Sequence, residues 1–472
     1  MIRKLPDYPG RLNAFQRVMY QWSALHPYNA THTYQIAGPL QLERLCDAIR
    51  ATYARHRMGI VHISSDRLSY RHEVDDSPEV QVLQGGEDPS SRLAEHTTRE
   101  LNRPFERPSF RPLRFSVMDA GPKAHYVTTT YDHWVADSVA ARLVMRHVLG
   151  RYCGLEIPEN REPIDLYPGT YRDVLGHRLR GLSLVAATAR ALRHGNRNRW
   201  AWQVAYSSTS QMAVQHELYS TAPGTVLRLC EFAHSLGATV NDVILAALGI
   251  AMAEFMPRRS CRGKRRDLAM GSIVDSRPDA ISDLSQTFGT FLAYYLVRCA
   301  PDQGANLAEM SRRVASITGP IKARKGYLDS VVNMKFINAV WPHLSDTVKV
   351  HFMRKLLPMT AGVSNVLLRD PWINRNRQCI LGYSRGSPTG PNVPLVLAPT
   401  TLGESMNIGV TYRITGFSRA KIDGIMEMFL DQIQNPRQFR PVHRRQGGKQ
   451  HSVTAVNPTF AQPRLVTSGS AS

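Results

Sequence analysis

Cysteine is scarce and unpatterned. The 472 residues hold six, at positions 46, 153, 230, 261, 299 and 379, with no paired spacing. Disulfide frameworks and zinc sites both need close, repeated spacings, so neither is expected, and the thiols read as reduced ones of a cytosolic protein. Long apolar runs are missing too. The best candidate, LSLVAATARAL, carries an arginine and falls well short of the roughly 20 residues a bilayer span needs. The opening MIRKLPDYPG has no apolar h-region, so no secretory signal is expected. No GxGxxG follows a strand, and no zinc-finger or ribonucleoprotein signature occurs. Acidic residues are the last deficit: 38 stand against 59 basic ones, a net charge of +21. That surplus points to an anionic partner, and without a matching motif nucleic acid is not the expected one.

What is present reads as a globular chain of two domains, since 472 residues exceed one compact core. THTYQIAG alternates like a strand. PLQLERLCDAIRATYARHR places Leu42, Leu45, Ala48, Ile49 and Tyr53 on one face of a helix. LRFSVMDA and AHYVTTTY flank GPK as a hairpin, and SVAARLVMRHVLGRYCG continues as a helix ending at glycine. Residues 156–170 hold proline and glutamate and read as linker, and 171–199 as an arginine-rich helical segment. The stretch from 205 onward again mixes strands with capped helices such as ATVNDVILAALGIAMAEF. Residues 441–472 are polar and are expected to be disordered.

A histidine precedes an aspartate by four residues three times: His62 and Asp66, His72 and Asp76, His133 and Asp137. Context separates them. His62 and His72 fall in strands with no helix start behind them. His133 falls in a short loop between a buried strand ending at Tyr131 and a helix for which Asp137 and Ser138 are good N-caps. Loops at strand ends on a rigid scaffold are where catalytic side chains concentrate.

The segment RPFERPSFRPLRFSVMDAGPKAHYVTTTYDHWVADSVAARL resembles the active-site region of the CoA-dependent acyltransferase superfamily. That group includes nonribosomal peptide synthetase condensation domains, polyketide-associated acyltransferases and wax ester synthase/diacylglycerol acyltransferases; its signature is HHxxxDG. DAIRATYARHRMGIV is similar to the condensation-domain helix ending in an Arg-His pair, here Arg55 and His56. VNDVILAALG and GVSNV are similar to stretches of the wax ester synthase branch, and GSIVDSRPD to the segment whose arginine pairs with the motif aspartate. The likeness runs from about residue 10 to 435. Two positions depart: Asp132 replaces the first histidine and Ser138 the glycine. Asp132 with Asp137 also gives the DxxxxD spacing of heterocyclisation domains, but those lack His133 and carry serine where Ala140 stands.

The resemblance implies an α/β (α+β) fold of two chloramphenicol-acetyltransferase-like lobes, a V-shaped pseudo-dimer with a central tunnel. The lobe with the HxxxD motif would occupy 1–170, a basic linker or helix 171–204, the C-terminal lobe 205–440 and the tail 441–472. It implies an acyltransferase moving an acyl group from a CoA or carrier-protein thioester to a hydroxyl or amine. An imidazole suits the general base at neutral pH. His133 would be that base, with Asp137 holding the loop by an ion pair to Arg277. Asp132, Ser138, Ser364 and Asn365 are candidate substrate contacts. The basic run Arg258, Arg259, Arg262, Lys264, Arg265 and Arg266 is a candidate for docking donor phosphates or an acidic carrier protein. No metal and no permanently bound cofactor are implied; acyl-CoA or a phosphopantetheinyl carrier protein is the donor, and a small-molecule alcohol or amine the acceptor. The location implied is cytoplasmic, with peripheral contact at the inner membrane face kept open by Arg178, Arg180, Arg190 and Arg193. Two other readings stay open: a noncatalytic condensation-like protein that docks acidic carriers, and a basic protein that binds membrane or nucleic-acid surfaces.

Overall fold

The computed structural model describes residues 8–437 apart from 76, 87, 158–161, 177–180, 199, 256–266, 301–304 and 369–370. The basic run from Arg258 to Arg266 and the tail 441–472 therefore lie outside the described residues, as do Arg178 and Arg180.

The strand Ala124–Asp132 is buried at all nine positions, as a β-branched and aromatic run between two neighbours must be. It pairs antiparallel with Asn29–Ala37 on one side and Leu113–Asp119 on the other. Val80–Leu83 adds in parallel at the far edge. The helix Ser138–Cys153 packs against Leu42–His56. It starts at an aspartate whose side chain accepts from the amides of Val139 and Ala140, and ends at Gly154 in the left-handed region. A small sheet of Gly10–Arg11, Ser69–Val74, Gly59–Ile63 and Ser109–Phe110 stands beside it.

The second large sheet runs in the order Leu292–Cys299, Leu268–Asp275, Ala361–Val363, Leu395–Leu402, Ser405–Arg413 and Val214–Ser220, with Val366–Leu367 also paired to Leu395–Leu402. The helix Val240–Glu254 is buried almost all round, between Leu307–Ala323 and Arg419–Gln434. No single described helix is long and apolar enough to cross a membrane.

Two large apolar cores result, one under each large sheet, with a small third cluster of Leu93, Met118 and Tyr126. The division at residue 205 does not hold for every element. Ile380–Gly386, from the second half, pairs antiparallel with Asn29–Ala37 and becomes the edge of the first sheet. The first core also takes in Phe288, Phe291, Met334, Trp341 and Trp372. The reason is physical: Asn29–Ala37 has a free edge, and Tyr383 from the crossing strand fills the space beside Tyr34 with ring centroids 4.7 Å apart.

Candidate active site

The loop His133–Ala136 is clamped from three sides. The His133 amide donates to the Tyr28 carbonyl at 2.9 Å, and Val135 turns back onto Asp132. Gln16 donates to the Trp134 carbonyl at 3.1 Å, and the Thr290 hydroxyl donates to the His133 carbonyl at 3.0 Å. Trp134 itself is fully buried and anchors the loop.

Asp137 is the fourth clamp. One carboxylate oxygen takes the Val139 and Ala140 amides, each at 3.0 Å. The other takes Arg277 Nη1 at 2.6 Å and the Phe291 amide at 2.9 Å. Both partners are buried, with side-chain exposures of 6% and 1%. Burial alone would raise the carboxyl; the guanidinium and the amides outweigh it and hold it below the usual range. Arg277 also donates to the Gly289 carbonyl at 3.1 Å. The ion pair thus fastens the helix start of one lobe to a segment from the second half of the chain.

The His133 ring is oriented by this frame. Nδ1 lies 3.1 Å from the Ala136 carbonyl, a contact that only a protonated Nδ1 can make. That leaves Nε2 with its lone pair, and it has no protein partner among the described residues. Tyr28 and Tyr131 flank the ring at 5.8 Å each. Burial depresses the imidazole below its ordinary value of 6.5, with the Asp137 charge and hydrogen bonding acting the other way. The lowered pKa favours the neutral ring near pH 7, and the Ala136 contact selects the tautomer a base needs.

His133 lines a cavity between the two large sheets that encloses about 1010 Å³, its open mouth included. Most of the wall is apolar, including Phe15, Met19, Trp22, Ile273, Leu357 and Met359. Ser138 and Ser364 both line it. Asp132 and Asn365 do not. Side chains alternate along a strand, so Asp132 points away from the face that carries Tyr131, and it pairs with Arg107 at 2.7 Å. Burial raises its carboxyl against the pull of that guanidinium.

His62 and His72 stand elsewhere: His62 contacts Ser109 and Glu73, and His72 packs on Tyr70 and Phe288. Asn241 donates to Ser272 and Tyr295 rather than to any cavity group. Asp242 completes a capping box with Thr239 and pairs with Lys322.

Two cavity residues were not foreseen from the sequence. His32 sits between two tyrosine hydroxyls, Tyr131 and Tyr383, each 3.1 Å from a ring nitrogen, and burial holds it well below its ordinary pKa. Arg385 reaches the cavity from the crossing strand, 3% exposed. Neither carries a local motif. Among the described residues no cluster of histidine, cysteine, aspartate and glutamate is arranged to hold a metal.

No family model matches the chain. A 221-residue stretch is 19% identical to a plipastatin synthase component of Bacillus subtilis (strain 168), covering 46% of this chain and only 8% of that protein. The first condensation domain of the CDA synthetase superposes with a TM-score of 0.63 at 15% identity, over 92% of this chain and 97% of that one. The EpoB cyclization-docking bidomain of Sorangium cellulosum gives 0.65 at 16%, over 90% and 84%. The X-domain from teicoplanin biosynthesis gives 0.58 at 16%, over 93% and 97%. The two-lobed α/β fold of this chain is that of the nonribosomal peptide synthetase condensation domains.

Proposed function

We propose that the chain is a condensation-type acyltransferase, which moves an acyl group from a carrier-protein or CoA thioester to a hydroxyl or amine. One observation carries this reading above the rest. His133 presents a neutral imidazole to a cavity between two lobes, its Nδ1 tied to the Ala136 carbonyl and its Nε2 without a protein partner among the described residues. The likeness of the fold to condensation domains supports it.

In the reaction, the acceptor and the thioester carbonyl meet beside Nε2. The nucleophile's lone pair forms the new C–O or C–N bond as its proton passes to Nε2. Collapse of the tetrahedral species breaks the C–S bond, and the imidazolium returns the proton to the leaving thiolate. Asp137 touches neither substrate; it is a positioning residue, locked by Arg277. No acyl-enzyme is involved in this scheme.

A noncatalytic carrier-docking protein remains the second reading, favoured by Asp132 at the first motif position and its tie to Arg107. The discriminating experiment incubates the protein with acyl-carrier and acyl-CoA donors and a panel of alcohols and amines, and follows products by mass spectrometry. New ester or amide that depends on the protein supports the transferase. Carrier binding without product for any pair supports the docking protein.

A further inference from the structure

Arg385 is a buried cation on the wall of a cavity that no aspartate or glutamate lines. Among the described residues neither Arg385 nor its neighbour Arg142 has a carboxylate within ion-pair distance. Asp137, whose charge reaches Arg142, is already committed to Arg277. A buried charge is costly unless it is paired. Neutral groups hold part of Arg385 in place: Nε donates to the Thr400 hydroxyl at 2.8 Å, and Nη2 donates to the carbonyls of Ser364 and Pro399. Nη1 is different. Its contacts are two long ones, 3.4 Å each, to the hydroxyls of Ser138 and Ser364. Those hydroxyls both line the cavity. Ser138 accepts from Arg142 as well as from Arg385, so its own proton is left to donate.

We infer that Nη1 of Arg385, with the hydroxyls of Ser138 and Ser364, receives a carboxylate carried by one of the two substrates. The inference rests on the reading of this cavity as the place of acyl transfer. Three donors converge at the start of the helix that follows His133, and two cationic side chains stand behind them. A planar carboxylate accepts from a guanidinium and a hydroxyl at once, which suits the fork of donors here. The phosphate of a pantetheine arm does not fit the position, because it lies the length of the arm away from the thiol that delivers the acyl group to His133. Ser138 thereby acquires a role: a glycine at that position has no hydroxyl to offer.

The test measures binding by calorimetry, on the full chain and with one substrate at a time, so that no transfer takes place. One arm compares succinyl-pantetheine with its terminal amide; the other compares glycine with glycinamide. The expected result is that the acid binds about 10-fold or more tighter than the amide in one arm, which names the substrate that carries the carboxylate. Arg385→Gln removes that preference and leaves amide binding within two-fold. Ser138→Ala with Ser364→Ala, which keeps every buried charge, reduces the preference several-fold should Arg385→Gln fail to fold. No preference for acid over amide in either arm overturns the inference and leaves Arg385 a staple between the crossing strand and its neighbour. Failure of acyl transfer itself is separate: an acid preference without product sinks the transferase reading and leaves a carboxylate site in the cavity, and product without a preference sinks the carboxylate site alone.

Discussion

On the proposed reading His133 acts as a base, which must be unprotonated, and burial favours that form. With its pKa held below 6.5, the proposed activity is expected to be flat around neutrality and to decline only as pH falls through that lowered value, protonating Nε2's lone pair. The pH profile of kcat/KM is expected to show its acid limb below pH 6.5; a limb above that value would mean the titrating group is not this histidine. Asp137 makes the opposite kind of statement. Its folded pKa lies below the unfolded value, so its stabilisation is fully present above the unfolded pKa and is lost as pH falls through the folded one. Breaking the buried pair from either side strands a charge. Asp137→Ala and Arg277→Ala are each expected to cost about 3–5 kcal/mol in denaturant melts, and the double variant less than their sum. Strict additivity would show that the pair is not coupled in solution.

Elements were legible where one pattern dominated. The capped helices at 138–153, 240–254 and 419–434 announce themselves by N-cap residues followed by long apolar-rich stretches without proline, and the hairpin of Leu113–Asp119 with Ala124–Asp132 by its β-branched run. The crossing strand Ile380–Gly386 was not legible. ILGYSRG is short and glycine-containing, and only the free edge of a strand some 350 residues earlier gives it a partner. Its placement depends on Gly409. A Cβ there would meet the Arg385 carbonyl at 1.9 Å and the His216 ring at 2.9 Å. Gly409→Ala is expected to destabilise by about 1–3 kcal/mol, as overpacking does. Gly195→Ala, in open space within the helix Gly181–Asn198, is expected to be neutral or to add up to ~1 kcal/mol. Thermal melts of the two variants side by side check the contrast, and equal behaviour would mean the sheets are not in close contact at Arg385.

At the scale of the molecule, the cavity draws on Phe15, His133, Ser364, Arg385 and Val396, so it exists only once both lobes are assembled. The motif residues His133 and Asp137 were readable because they share one loop. Arg385 and His32 were not, because their meaning comes from contacts hundreds of residues away in the chain, and no local spacing encodes that. The Asp132 tie to Arg107 was not legible either, because sequence adjacency to His133 hides the alternation that turns the two side chains apart. What unites the frame is that every clamp on the loop, from Gln16, Thr290 and Arg277, ends at the orientation of one imidazole. The most direct test of that claim is single-turnover acyl transfer from a saturating thioester donor by the parent chain and by His133→Ala, with His62→Ala and His72→Ala as controls and circular dichroism to confirm folding. Loss of transfer by about 100-fold or more in His133→Ala alone, with both controls within a few-fold of the parent, is the predicted result; a folded His133→Ala that transfers as fast as the parent would contradict it.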